Sequence, residues 1–152
     1  MSEKIQKEIL KLKIDTNVIV FDKTTKTAKD AATALNCDVA QIVKSIVFKG
    51  KYSQKPILIL VSGVNRVDEE KVGKTIGEEI EKADADFVKE KTGFAIGGVS
   101  PIGHKNYIDI FFDEDLLKFD IVWAAAGTSN SVFKINPKTL LELTNAKIID
   151  VK

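Results

Sequence analysis

Apolar positions along this chain follow two rhythms, one helical and one extended, which alternate from end to end. Ile5, Ile9 and Leu12 recur at helical spacing between lysines and predict an amphipathic helix over about residues 2–13. Val18-Ile19-Val20-Phe21 reads as a short buried strand. The alanine-rich stretch from Ala28 to about Leu35 reads as a second helix capped by Thr27. Asn36-Cys37-Asp38 stops that helix, and Asp38 caps one further turn through Ile42. Val43 to Phe48 is rich in β-branched residues and predicts a strand, closed by Lys49-Gly50-Lys51. Pro56 to Val61 is continuously apolar, the pattern of a strand buried on both faces, and the two pair as an antiparallel hairpin around Tyr52-Ser53-Gln54.

The second half repeats the alternation. Asp68 caps a helix with Val72 and Ile76 inward and Gly77 at its end. Asp84 caps another with Phe87 and Val88 inward, ended by Thr92-Gly93. Strands are predicted at Tyr107–Phe112, Ile121–Ala126 and Ser131–Ile135, the last two joined by Gly127-Thr128-Ser129-Asn130. Pro137, after Asn136 as cap, opens a helix through Leu140, Leu141 and Leu143, and residues 147–151 close the chain as a strand. Several successive strands lack a helical crossover. The pattern therefore predicts one α/β (α+β-like) domain over residues 1–152, with a mixed, largely antiparallel sheet flanked by helices and residues 2–13 as an extension.

One stretch fits neither rhythm. Gly93 to His104 holds four of the nine glycines, one of the three prolines and the sole histidine. Gly permits close approach and unusual backbone angles, while Pro fixes φ. Beside apolar Ile96, Val99 and Ile102 this composition predicts a shaped, partly buried loop, where a plain turn between strands is the simpler alternative.

Composition narrows the functional classes. A chain of 152 residues, 44% hydrophobic and 30% charged, lies in the globular range, and its longest apolar runs are far below a membrane span. The N-terminus has no apolar signal core, so a cytoplasmic, soluble protein without membrane contact is expected. A lone cysteine, Cys37, forms no internal disulfide, and with His104 it makes no typical zinc site; neither metal nor cofactor is called for. The net charge of +1 excludes a broad basic face that grips long nucleic acid. The early chain is nonetheless basic, through Lys4, Lys7, Lys11, Lys13, Lys23, Lys26 and Lys29, and residues 68–90 are acidic. A polyanionic partner would meet the basic side or a local pocket.

Familiar motifs are absent: there is no phosphate loop, no dinucleotide fingerprint, and no second glycine after Ser100 for a nucleophile elbow. Asp113, Glu114 and Asp115 look like surface charge in an exposed turn. Lys44 stands out because it lies within Ile42-Val43-Lys44-Ser45-Ile46-Val47-Phe48. Its ammonium either reaches water from a strand end or points into a pocket to hold a phosphate, carbonyl or hydroxyl.

Lys44 in Gln41-Ile42-Val43-Lys44-Ser45-Ile46-Val47-Phe48, then Thr92-Gly93, then Gly97-Gly98-Val99-Ser100-Pro101-Ile102-Gly103, then Ala125-Ala126-Gly127 before a strand and a Pro-led helix resembles the YbaK/EbsC family. That family comprises free-standing aminoacyl-tRNA deacylases (YbaK, ProX) and the editing domain inserted in bacterial prolyl-tRNA synthetases. The likeness runs from about Val18 to the C-terminus. It implies a barrel-like mixed sheet and hydrolysis of the ester joining a wrong, small amino acid (Ala, Cys or Ser) to tRNA, of the tRNA-Pro type. The mischarged tRNA would be met at its acceptor end, and an aminoacyl-tRNA synthetase is a second candidate partner.

On this reading Lys44 positions the ester and the backbone N–H groups of Gly97, Gly98 and Val99 stabilise the oxyanion. Ser45, Ser100, Pro101, His104, Gly127 and Thr128 form the substrate surround. No general base stands out, so water is expected as nucleophile, activated by a hydroxyl of the substrate. Asn36-Cys37-Asp38 stands where the family often has a glycine-containing turn. A non-catalytic module that binds aminoacyl-tRNA or a synthetase with the same pocket is the alternative, and an enzyme on another aminoacyl ester or small nucleotide a third.

Overall fold

Local capping chemistry sets most of the helices. In a computed structural model that describes residues 2–22 and 27–152, helix α1 spans Ser2–Lys11 and α2 spans Ala28–Leu35. Helices α3 (Glu69–Ile76), α4 (Ala85–Thr92) and α5 (Pro137–Thr144) follow. The side chains of Thr27, Asp68, Asp84 and Asn136 each accept a backbone N–H from the first turn, at 3.0, 3.1, 2.8 and 2.9 Å. Gly93 ends α4 at φ 84°, a left-handed cap that glycine adopts without strain. Asn36 takes the equivalent place after α2 at φ 53°, so the turn that lacks glycine still closes in the left-handed region. Lys23 and Lys26 of the early basic stretch lie outside the described residues.

The strands are β1 (Ile19–Val20), β2 (Ile42–Gly50), β3 (Pro56–Ser62), β4 (Ile80–Lys82), β5 (Asp109–Asp113), β6 (Val122–Ala125), β7 (Ser131–Ile135) and β8 (Lys147–Ile149). Among the described residues they form one sheet ordered β1-β7-β6-β2-β3-β5-β8, with β4 alongside β2. Pairings β1–β7, β2–β3, β2–β4 and β6–β7 are antiparallel; β2–β6, β3–β5 and β5–β8 are parallel. The sheet is mixed and flanked by helices.

Alternation along β3 builds the interior. Leu58 and Leu60 join the core that holds Phe94, Phe112, Phe133 and Leu140, while Ile57, Ile59 and Val61 pack on the other face with Phe48, Val72 and Val151. Every one of these five β3 side chains is buried. At about 1.5–3 kcal/mol per fully buried aliphatic side chain, this strand is a principal source of stability.

Three expectations are corrected, and two elements appear that the pattern does not announce. The segment from Val18 to Phe21 is not a buried strand: β1 has two residues, both exposed, and among the described residues it is the sheet's edge strand, paired with β7 alone. Leu12 falls outside α1, which stops at Lys11, and is 38% exposed. Strand β4 and a 3₁₀ turn at Glu114–Lys118 have no periodic signal and are set by their neighbours. Asp113 is fully buried rather than surface charge.

Candidate active site

The site begins with a defect in strand pairing. β2 lies against β3 along nearly its whole length, but on its other side β6 covers only Ile42–Val43 and β4 only Phe48–Gly50. The Gly63 N–H donates to the Ile42 carbonyl on the β3 side, and the Ala83 N–H to the Val47 carbonyl on the opposite side. By the two-residue alternation of a strand, the Ser45 backbone groups also face away from β3, into the stretch where no strand stands. Its hydroxyl is buried without a hydrogen-bond partner. A buried, unpaired hydroxyl is costly.

The Gly93–His104 loop lies across that gap. Ala95-Ile96-Gly97-Gly98 is a tight turn closed by the Gly98 N–H donating to the Ala95 carbonyl at 3.0 Å, with Gly97 at φ 90°. The third turn position requires positive φ, so glycine belongs there. Gly98 serves contact instead: a Cβ at that position would lie 2.8 Å from Thr128 Cα and backbone C. The loop is thereby pressed onto the turn between β6 and β7. Phe94, Val99, Ser100, Pro101 and Ile102 are all buried, as the composition of the loop predicts.

Two cavities meet at this point. One, of about 340 Å³, lies on the α2 side and is walled by Ala28, Ala31, Val43, Trp123, Ala124 and Val132. The other, of about 420 Å³, lies on the α3 side between Phe48, Arg66, Val67, Lys82 and Val88. Lys44, Ser45, Ile46, Ile96, Gly97 and Val99 line both. Each volume is of the size of small-molecule sites.

The Lys44 ammonium is half-buried and donates to the Asn65 carbonyl in the turn after β3. Burial pushes its pKa down; the Asp113 carboxylate opposes this and the nearby Arg66 charge adds to it. Asp113 is itself held by the Ser62 N–H at 3.0 Å, Asn65 Nδ2 at 2.8 Å and the Asp115 N–H at 2.9 Å. Asn65 Nδ2 also reaches Asp115 Oδ2 at 2.8 Å. Its hydrogen bond, with Lys118 and Lys152, holds that carboxyl well below the usual range. Asn65 therefore joins the lysine to a buried carboxylate and fixes the direction of its ammonium.

Of the residues singled out in the sequence, Lys44, Ser45, Gly97, Val99 and Thr128 come together on the cavities. Gly98, Ser100, Pro101, His104 and Gly127 stand behind the wall. The Gly98 N–H is consumed by the turn and is not an oxyanion donor, whereas the N–H groups of Gly97 and Val99 have no acceptor among the described residues. Ser100 and His104 brace the loop: His104 Nε2 lies 2.6 Å from the Ser100 carbonyl, and the Ser100 hydroxyl accepts the Ile102 N–H at 3.2 Å. His104 packs edge-on against Phe94, and burial lowers its pKa, with the Ser100 carbonyl opposing and Lys4 adding to the effect. Gly127, at φ 98°, shapes the turn that carries Thr128. Sequence reasoning missed Asn65, Arg66 and Asp113; the Gly63–Arg66 turn between an apolar strand and a capped helix was the available signal.

No group of three or more His, Cys, Asp or Glu side chains able to hold a metal exists among the described residues, and no described helix is long and apolar enough to cross a membrane. Lys44, Gly97 and Val99 stand together at the junction of two small cavities. Fold and site thus define a small mixed α/β domain built around a pair of cavities of small-molecule size.

The aminoacyl-tRNA editing domain model matches residues 22–143, and the chain belongs to that family. It is 33% identical over 138 residues to the uncharacterized protein YwhH of Bacillus subtilis, covering 90% of this chain and 87% of that one. It is 25% identical over 125 residues to the "Putative Cys-tRNA(Pro)/Cys-tRNA(Cys) deacylase EbsC" of Enterococcus faecalis, covering 82% of this chain and 76% of that one. A solved structure described as a "putative trans-editing enzyme for prolyl tRNA synthetase" superposes with a TM-score of 0.92 at 41% identity, covering 99% and 96% of the two chains. The family resemblance read from Lys44 and the glycine loop is thereby established, and so is the mixed sheet with flanking helices that it implied.

Proposed function

We propose that this chain is a trans-editing aminoacyl-tRNA deacylase that hydrolyses the ester of a tRNA charged with a small wrong amino acid such as Ala, Cys or Ser, the tRNA being of the tRNA-Pro type. The observation that carries the reading is the convergence of Lys44, Gly97 and Val99 on the gap in the edge of β2. The names of EbsC and of the trans-editing structure support the substrate class.

In this reading the ester carbonyl sits at the junction of the cavities. Water attacks the carbonyl carbon while the ribose hydroxyl next to the ester relays a proton, its oxygen accepting one from the water as its own passes toward the ester's ribose oxygen. The oxyanion is held by the Gly97 and Val99 N–H groups, each donor worth about 2.7–4 kcal/mol of barrier. Collapse breaks the bond from carbonyl carbon to ribose oxygen, the proton goes to that oxygen, and free amino acid and tRNA leave. Lys44 orients the acyl-nucleotide end. Two short side chains, Ala124 and Ala31, bound the α2-side cavity, which selects by size at about 1–3 kcal/mol per methylene.

The test is deacylation of Ala-, Cys- and Ser-charged tRNAs by the wild type and by Lys44→Ala. The wild type should turn over at least one, and the variant should lose roughly 100-fold in kcat/KM, the scale of a misplaced reacting group. Turnover of none, or unimpaired turnover by the variant, would sink the proposal. Tight binding of charged tRNA without turnover would favour the non-catalytic module, a reading the absence of His and Cys from the described cavity lining keeps in view.

A further inference from the structure

The two cavities differ in charge far more than in size. Lys44 is the single ionisable group on the α2-side cavity among the described lining residues. The α3-side cavity adds Arg66 and Lys82 to Lys44, against one carboxylate, Glu69. Neither Arg66 nor Lys82 has an ion pair among the described residues, although acids are common around them. Lys49, beside Lys82 on the neighbouring strand, is already taken by Glu81 at 3.7 Å. Asp113, the nearest buried carboxylate to Lys44, is turned toward Ser62, Asn65 and Asp115 instead.

Unpaired cations gathered on one cavity are held against mutual repulsion, an arrangement that an anion relieves. Arg66 follows directly on Asn65, the residue whose carbonyl receives the Lys44 ammonium, so one turn sets both cations. A planar guanidinium suits two oxygens of a phosphate.

We propose that Arg66, assisted by Lys82, binds the 5′-phosphate of the substrate's terminal nucleotide in the α3-side cavity, leaving the alanine-walled α2-side cavity to the aminoacyl side chain. This rests on the aminoacyl-tRNA reading of the site and adds a direction to it: the substrate crosses β2 at Ser45, nucleotide toward α3 and acyl group toward α2. Half-buried Val67 provides apolar surface for the nucleoside on the α3 side. The opposite orientation would stack the base on Trp123 and leave the phosphate with Lys44 as its single cation among the described lining residues, where the α3 side adds two more.

The experiment titrates adenosine 5′-monophosphate and adenosine into the wild type, Arg66→Ala and Arg66→Lys, following backbone amide shifts and the emission of the sole tryptophan, Trp123. The monophosphate should bind about tenfold more tightly than the nucleoside, the worth of one charge-assisted contact. It should shift the amides of Arg66, Val67 and Lys82 and leave Trp123 unchanged. Arg66→Ala should erase the difference between the two ligands, and Arg66→Lys should restore part of it. Since Arg66 is exposed and unpaired, the fold should be indifferent to either change, which the unperturbed remainder of the amide spectrum would verify.

Equal binding of the two ligands, no phosphate-dependent shift in the wild type, an unaltered preference in Arg66→Ala, or shifts centred on Ala31, Trp123 and Ala124 would each overturn the assignment. Turnover reports separately. A wild type that prefers the monophosphate through Arg66 yet deacylates no charged tRNA would refute the editing reaction and leave the phosphate site standing. An Arg66→Ala variant that deacylates charged tRNA with the full efficiency of the wild type would overturn the phosphate site and leave the editing reaction standing.

Discussion

Gly98→Ala tests whether the contact between the glycine loop and the Thr128 turn shapes the site. Gly98 is not in the left-handed region, so alanine meets no backbone strain there and the whole cost is contact. The added methyl would lie 2.8 Å from Thr128 Cα and backbone C and 3.0 Å from its N. Carbon atoms rest about 3.5–4.0 Å apart, so the two segments must separate by roughly 0.7 Å or more. The obstacle is backbone, which has no rotamer to yield, and overpacking of this kind costs about 1–3 kcal/mol. For a domain of this size the melting temperature should fall by about 2–4 °C per kcal/mol. The separation carries Gly97 and Val99 away from the opposite wall, and displacement near 1 Å of a positioning group costs up to about 100-fold in rate. Calorimetry together with kcat/KM on a mischarged tRNA gives both readings. Gly77→Ala is the control, since that glycine has positive φ and no atom within 4 Å of its added Cβ, and it should affect stability without affecting rate. A Gly98→Ala protein that melts and reacts like the wild type would refute the reasoning.

Three further outcomes follow from the groups around the site. Asp113→Ala leaves buried donors at Ser62 and Asp115 unpaired, at about 1–3 kcal/mol each, and should lower the urea midpoint accordingly. Asp113→Asn removes the charge that opposes the burial of Lys44, so the ammonium loses its proton at lower pH and the alkaline limb of the rate profile should move down. An unmoved limb would detach Asp113 from Lys44. For His104, the folded pKa lies below the ordinary 6.5, so the unfolded chain binds more protons as pH falls below that value. Its contribution to stability is full above pH 6.5 and declines as pH drops through the lowered folded value. Urea midpoints from pH 7.5 to 5 should therefore fall more steeply for the wild type than for His104→Gln, and equal slopes would exclude it.

The parts of this fold that sequence conveys are those decided within a few residues. Thr27, Asp68, Asp84 and Asn136 are legible as caps because each serves an N–H two or three positions on. β3 is legible because five consecutive apolar side chains need both faces covered. Asp113 is not, since its burial is decided by Ser62 and Asn65, some fifty positions away. β4 is equally opaque: Ile80-Glu81-Lys82 has no strand rhythm and becomes one by lying against Phe48–Gly50. At the site, Lys44 and the loop are conspicuous as residue types in unusual company. Which amides of the loop stay free depends on the turn that closes at Gly98, and composition does not specify a turn type.

The break in pairing beside Ser45 has a consequence for how such a protein changes over time. Strand edges are ordinarily either joined or hidden, and here an interior edge is kept open by two neighbours that each stop short. The walls on its two sides come from separate pieces of chain, α2 with β6 on one and α3 with β4 on the other. Enlarging or shrinking a residue such as Ala31 or Ala124 alters one side while the lysine, the loop and the far side keep their positions. What one side accepts is thus free to drift between descendants while the other side is kept.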